Sequence, residues 1–545
     1  MRLLIIVIRG LRNGARLFCR NSPSSEHGVT VVFRCVFLWL AVIPLTWFAV
    51  FFLWPTIHAL ASLTSWSAIS DTLSSRVTWN VMWFTTWQAG MSVIATLIVA
   101  MPITWVLSRF TFCGSRWVRG IVSTPFVLPT VVVAAAVMSL LPLRYQFGVH
   151  GIIIAHVLFN VAVVVRIVGT RWQFISPDTA FAAATLGASP IRAFWFVTLP
   201  QLRTALYNAA LIIFVFTFTS FGVVAVLGGI KRRTLEVEIY VNAINLGVFD
   251  TAMVLAILQV FAVLLVFAVA AWLSRNQTSH EGTASHPLPL RHHPRHRVVI
   301  SIIAIATPGL IAVPFIALFI RSFRTGNTWT LNAWRNLWND SLERVGLDIP
   351  AVLSRSLIFA TVTALIAVPM AYIVASLSVY ARRGGTALRA LTSLPIIVSA
   401  VTLGFGIIVT FDKSPYNWRG QTWLLPVVHA LVALPLIVFL LTPAISAISP
   451  TQRDAARTLG ASPRHVWWNI DARLMRTPLV SAGALSFAVS LGEFGATTFL
   501  SRSSSTTLPI AIGQLLGRPG TSLQASGFAL AALLAIITTA VMSRA

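Results

Sequence analysis

Fourteen acids and eleven histidines are spread over 545 residues, and few of them stand where chemistry could be done. Glu493 lies in the apolar run VSLGEFGATTFL and, of the fourteen acids, it alone reads as buried within an apolar helix. An ionised carboxylate at a bilayer centre costs about 2.5–3.5 kcal/mol on insertion scales, so this one should face protein or water rather than lipid. It could attract a cation along a path, or bond a neighbouring hydroxyl as a packing acid. It follows Arg476 by 17 residues, roughly 25 Å of helix at about 1.5 Å per residue, which puts it in the outer half of a membrane. His156 and His429 occupy equivalent places near the outer ends of their segments. They read either as a pair of metal ligands or, more simply, as polar residues each satisfying a neighbour. The histidines of residues 275–297, RNQTSHEGTASHPLPLRHHPRHR, belong to a polar stretch that reads as solvated linker rather than a metal site.

No paired carboxylates, HExxH, nucleophile elbow or Cys-His constellation appears, so the chain does not read as an enzyme. Cys19, Cys35 and Cys113 match no zinc spacing and build no disulfide framework. A nucleotide-binding loop needs G-x-x-x-x-G-K-[ST], whose backbone amides and lysine cradle phosphates. The two lysines are Lys231 and Lys413; Lys231 follows Gly228-Gly229 but lacks the spacing and the Ser/Thr.

The elements that must position these residues are membrane helices. Hydrophobic residues make up 57% of the chain, charged residues 10%, and the mean hydropathy is +0.83, which places it in a lipid bilayer. A crossing takes about 20 mostly apolar residues. Such segments lie near 33–54, 82–107, 120–141, 151–172, 204–227 and 251–274, and again near 298–320, 355–378, 390–411, 423–446, 478–500 and 523–542. The spacing therefore predicts an all-α polytopic membrane protein of about twelve transmembrane helices. Net charge is +26, but the arginines sit in short loops, not on one basic face, so topology accounts for them better than nucleic acid does. With the N-terminus cytoplasmic, the inner segments hold 24 of the 40 Lys and Arg. Residues 1–32 read as a cytoplasmic or interfacial extension, because the apolar run ends at Ile8, too short for a cleaved signal. Tryptophans such as Trp47, Trp54, Trp66, Trp79 and Trp83 cluster near segment ends as an interfacial belt.

The chain says nearly the same thing twice. SPDTAFAAATLGASP at 176–190 returns as SPTQRDAARTLGASP at 449–463, 273 residues later. The same offset pairs His156 with His429, Arg203 with Arg476, Phe221-Gly222 with Phe494-Gly495 and Ser220 with Glu493, so a solute path through Glu493 and Ser220 would be asymmetric. Pro129 and Pro395 pair at 266, which implies seven extra residues in the second copy near 412–422. The organisation expected is an extension over 1–32, a first repeat over 33–274, a cytoplasmic linker over 275–297 and a second repeat over 298–545. Six crossings per copy make the repeats parallel, related by an axis along the membrane normal.

FAAATLGASPIRAFWFVTLP (181–200) and DAARTLGASPRHVWWNIDAR (454–473) fall between the fourth and fifth segments of each copy. They resemble the EAA loop of ABC importer permeases: an acid, two alanines, a glycine, then an aliphatic residue followed by Leu-Pro. The first copy matches at Ala182, Ala183, Gly187, Val197, Leu199 and Pro200 but has Phe181 in place of the acid. The second matches at Asp454, Ala455, Ala456, Gly460 and Ile470 but ends Ala472-Arg473. The resemblance implies the type I importer permease fold, with these loops docking on two copies of a separate ABC ATPase subunit. It also implies an extracytoplasmic binding protein that delivers the solute, ATP and Mg used by the ATPase with no cofactor bound by this chain, and a place in the bacterial cytoplasmic membrane. GIIIAHVLFN (151–160), TLEVEIY (234–240) and TTLPIAIGQLLG (506–517) look most like the fused permease of thiamine transporters, with ferric-iron permeases close behind. An ion-coupled secondary transporter also has parallel halves, but it would have no use for duplicated docking loops.

Overall fold

The computed structural model describes residues 42–61, 66–229, 231–274, 288–289, 294–380, 385–412 and 417–544. The extension 1–32, most of the linker 275–297, Cys19, Cys35 and Lys413 lie outside the described residues.

Each repeat forms ten principal helical elements in the same order. In the first these are α1 (Val42–Ala59), α2 (Arg76–Arg109), α3 (Ser115–Val127), α4 (Thr130–Leu140), α5 (Val149–Gln173), α6 (Pro177–Thr185), α7 (Leu199–Phe218), α8 (Gly222–Leu227), α9 (Leu235–Tyr240) and α10 (Phe249–Ser274). The second repeats them as α11 (Pro294–Ser322), α12 (Ile349–Tyr380), α13 (Gly385–Val398), α14 (Ala400–Phe411), α15 (Leu424–Ser446), α16 (Pro450–Thr458), α17 (Ala472–Gly492), α18 (Gly495–Leu500), α19 (Leu508–Gly517) and α20 (Thr521–Ser543). Two pairs of two-residue strands are the β-structure among the described residues. Ten helices are long and apolar enough to cross a membrane, or twelve if each of two bent pairs counts as one crossing.

Those bent pairs correct the third segment of each repeat. The runs near 120–141 and 390–411 are not straight spans: α3 and α4 meet at 107°, α13 and α14 at 90°. Leu128 precedes Pro129 and is extended (ψ 144°), because the proline ring disfavours helical backbone in the residue before it. In the second repeat the break falls on Ser399, at φ 61°, whose hydroxyl accepts from Thr402 N at 3.2 Å. By position within the broken pair, the partner of Pro395 is Pro125, near the end of α3, rather than Pro129. That offset is 270, so three extra residues separate the break from His429, not seven. The fifth segments are corrected too. Helix runs through Pro190–Phe218 and Arg464–Gly492, then breaks, so α8 and α18 are separate short helices rather than the ends of spans 204–227 and 478–500.

The chain clusters into two compact units that do not coincide with the sequence repeats. One joins residues 42–61 to 351–507 and 540–544, the other joins 66–350 to 508–539. In the first unit α1 packs on α14, where the Pro55 carbonyl would lie 3.4 Å from a Cβ placed on Gly406. In the second unit α11 packs on α3 and α4, and α19 also packs on α4. The opening helix of each repeat thus covers the other repeat's broken pair. The covered helices call for it. Val131–Met138 of α4 are apolar on every side and buried throughout, as a helix without a polar face must be. Along α14, Gly404 lets the backbone of α18 approach so closely that a Cβ would lie 2.9 Å from Ala496 Cα, the small-residue packing that membrane helices use.

Candidate functional site: twin loops and buried polar knots

The loops at α6 and α16 are built alike, with the same caps and the same turn hydrogen bonds. Ser176 and Ser449 cap the helices, accepting from Asp178 N (3.2 Å) and Thr451 N (3.3 Å), and the prolines that follow occupy the first turn, where no amide is needed. Both helices end in a Schellman turn. Ala188 N donates to Ala183 O and Ala461 N to Ala456 O, each at 3.0 Å, with Gly187 (φ 82°) and Gly460 (φ 83°) in the left-handed position that glycine holds at least cost. A second Ser-Pro start follows at 189–190 and 462–463, then a π-helical turn, Phe194–Thr198 or Trp467–Asp471, that feeds α7 or α17.

Ala182, Gly187, Pro200, Asp454, Ala455 and Gly460 are exposed, and Ala183 and Ala456 half-buried, so the expected loop residues are open to contact in each copy. Leu186 is 89% exposed and Leu459, its equivalent, 88%; Phe181 is 57% exposed. An aliphatic side chain held in water at the same point of both loops is what a docking contact removes from water on binding.

Glu493 is not inside a helix. α17 ends at Gly492, Glu493 is extended (ψ 121°), and its carboxylate caps α18, accepting from Ala496 N and Thr497 N at 2.8 Å each and from the Thr497 hydroxyl. His429 Nε2 stands 3.5 Å from the carboxylate and 2.8 Å from Thr497 Oγ1. His429 Nδ1 shares a 2.8 Å bond with Ser490, and Ser490 Oγ donates to Thr363 at 3.1 Å. One buried chain of polar groups thus pins α12, α15, α17 and α18 together, with both oxygens of the acid engaged inside the protein. Of the two roles open to Glu493 from sequence, this geometry favours packing.

The first repeat ties the same knot with neutral residues. His156 bonds Ser92 (3.1 Å) through Nδ1 and Ser220 (2.9 Å) through Nε2, and Asn160 donates to the His156 carbonyl. Ser220 and Val224 stand where Glu493 and Thr497 stand, so α8 has no side-chain cap. Each histidine therefore serves its own repeat, as the packing alternative requires. Among the described residues no three His, Cys, Asp or Glu side chains group as a metal site.

A second buried acid was missed. Glu236, in α9, is fully buried and accepts from Gln259 of α10, which is fully buried as well. So Glu493 does not stand alone among the fourteen. The six-residue α9 is too short to register as a span, so its acid falls outside the apolar segments read from the sequence. The signal was present in TLEVEIY, where the acids alternate with apolar residues and only the buried face, Leu235, Glu236 and Ile239, decides which acid is enclosed.

Comparison with known proteins agrees with this architecture. Residues 367–544 match the family described as "Binding-protein-dependent transport system inner membrane component". The chain is 27% identical to the thiamine transport system permease protein ThiP of Brucella suis, covering 85% of this chain and 86% of that protein. It is 23% identical to ThiP of Escherichia coli, covering 81% and 84%. It is 24% identical to the probable ABC transporter permease protein y4fN of Sinorhizobium fredii, covering 88% and 90%. With its repeated helices and repeated loops, the chain is similar along more than four-fifths of its length to ABC permeases, and residues 367–544 match the inner-membrane component of binding-protein-dependent transport systems.

Proposed function

We propose that this permease carries thiamine or its phosphates into the cell. The observation that carries the solute is the similarity to thiamine permeases along more than four-fifths of the chain. In this reading a binding protein presents the solute at the outer face. ATP and Mg are used by two copies of an ATPase subunit docked on the loops around Gly187 and Gly460, with the loops and the N-terminus on the cytoplasmic side. The distribution of arginine supports that orientation. Closure of the ATPase pair moves both loops, the transmembrane helices open outward to receive the solute, and hydrolysis returns the path inward. Short connection is what makes the loops suitable: α6 and α16 are each capped at both ends and each leads within one short helix into a long span.

The test has two parts. Calorimetry measures thiamine and ferric iron, separately, against the substrate-binding protein that partners this permease, and uptake is then followed in proteoliposomes holding the full complex. Tight thiamine binding with ATP-dependent uptake supports the proposal. Iron binding replaces the solute with ferric iron, and binding of neither removes thiamine while leaving the importer permease unchanged.

A further inference from the structure

The two loops share a backbone and differ in charge. Residues 176–200 carry Asp178 and Arg192, while residues 449–473 carry Arg453, Arg457, Arg464 and Arg473 with Asp454 and Asp471. One pair among these has no counterpart. Arg453 Nε donates to Asp471 Oδ1 at 2.8 Å, and each side chain is only 16% exposed. The bond crosses from α16 to the π-helical turn at the head of α17. Ala180 and Thr198 hold the two places in the first loop and can form no such bridge. Asp454 and Arg457, by contrast, pair along the open face of α16 at 3.1 Å, where solvent screening leaves an ion pair little strength.

Position gives the bridge its consequence. A nine-residue helix attached through a glycine turn can pivot, and a force applied to its outer face is then lost in the pivot. A charge-assisted bond drawn largely out of water, from the helix to the start of the span it must move, removes that freedom. The first loop has the same glycine, no brace, and Phe181 where the second has Asp454.

We infer that Arg453 and Asp471 are positioning residues that turn the second coupling helix into a rigid lever, so that closure of the ATPase is transmitted to α17 mainly through the second loop, while the first loop docks on apolar contacts and follows. This rests on the docking role of the loops proposed above. The two loops are thus unequal in transmission although equal in fold.

The experiment uses the full complex in proteoliposomes, with Asp471→Asn, Arg453→Gln, the exchange Arg453→Asp with Asp471→Arg, and Thr198→Ala as the first-loop control. Co-purification of the ATPase, ATP hydrolysis and solute moved per ATP are read together. Each single variant is expected to keep the ATPase bound and hydrolysing while solute moved per ATP falls about tenfold, a loss of coupling rather than of assembly. The exchange restores most of that ratio, and Thr198→Ala leaves it unchanged. A wild-type ratio in the single variants overturns the inference, and so does an exchange variant that assembles but stays uncoupled. Amide exchange in the unaltered chain gives a reading independent of any variant: α16 should exchange about tenfold more slowly than α6, and equal rates overturn the brace. The two readings fail separately. Wild-type complex that hydrolyses ATP but takes up no thiamine counts against the solute alone, whereas an ATPase that never co-purifies counts against docking itself.

Discussion

Replacing Glu493 by alanine removes the cap of α18 and leaves the amides of Ala496 and Thr497, both fully buried, without acceptors. Each unsatisfied buried amide costs about 1–3 kcal/mol. His429 also loses the group 3.5 Å from its Nε2. A total near 3 kcal/mol follows if the two amide penalties are taken toward the lower half of that range, roughly a hundredfold in the unfolding equilibrium. Glu493→Gln keeps one acceptor oxygen and should lose about half as much. Ser220→Ala, at the equivalent place, removes one neutral bond to His156 and should cost about 1 kcal/mol. Titration of the purified chain from mild micelles into SDS, followed by tryptophan fluorescence, gives the order: alanine least stable, glutamine intermediate, Ser220→Ala nearest to the unaltered chain. An alanine variant that unfolds at the unaltered midpoint refutes the cap. A glutamine variant of full stability that no longer transports solute refutes it in another way, since the carboxylate would then be acting on the solute.

Three further changes test the packing and the loops. Gly404→Val places a Cβ 2.9 Å from Ala496 Cα and is expected to cost about 1–3 kcal/mol by overpacking, read as a lowered melting temperature in micelles. Gly460→Asp puts a side chain on backbone at φ 83°, at a cost of about 1–2 kcal/mol confined to the loop. It should insert normally yet lose ATPase binding or uncouple hydrolysis from uptake, and normal uptake would sink the docking role. Gln259→Leu removes one buried hydrogen bond to the carboxylate of Glu236, and should destabilise by about 1–3 kcal/mol in the same SDS titration, with Glu236→Gln recovering part of the loss.

Much of the architecture was legible because periodic apolar runs and a fixed repeat offset are properties of the sequence itself. The α6 and α16 loops were legible as a repeated motif, because Ser-Pro and Gly are local signals, which the structure uses as caps and Schellman turns. The breaks were not legible. An apolar window over 390–411 has the same hydropathy whether straight or bent, and the bend is decided by one backbone angle at Ser399. Glu493 was found but taken to lie inside a helix, whereas the helix stops one residue before it, at Gly492, and the carboxylate caps α18. The grouping of α1 with the second repeat and of α11 with the first was beyond reach as well, because sequence periodicity states which face is apolar and not which neighbour covers it.

The pattern of likeness and difference between the repeats carries its own argument. Local features recur at one offset in the two loops: caps, glycine turns, π-helical turns and an exposed leucine. Side-chain chemistry departs where the chain meets itself, with Glu493 and Thr497 against Ser220 and Val224, and Arg453 and Asp471 against Ala180 and Thr198. In the docking proposed above, two identical ATPase subunits would need two matching backbones, a constraint on both copies. Nothing imposes the same symmetry on a solute path or on the braces behind the loops once both halves share one chain, because each position can then change alone. Both differences strengthen the second repeat, one by a charged cap at the base of α18 and the other by a bridge at the head of α17. The helix joining them, α17, is therefore held by charged groups at its two ends, whereas no ion pair among the described residues holds either end of α7. If that is what makes the second half the driven one, removing Glu493 and Asp471 together should reduce solute moved per ATP by no more than the worse single change, since each break alone already frees the lever; a product of the two losses would mean that the ends act independently.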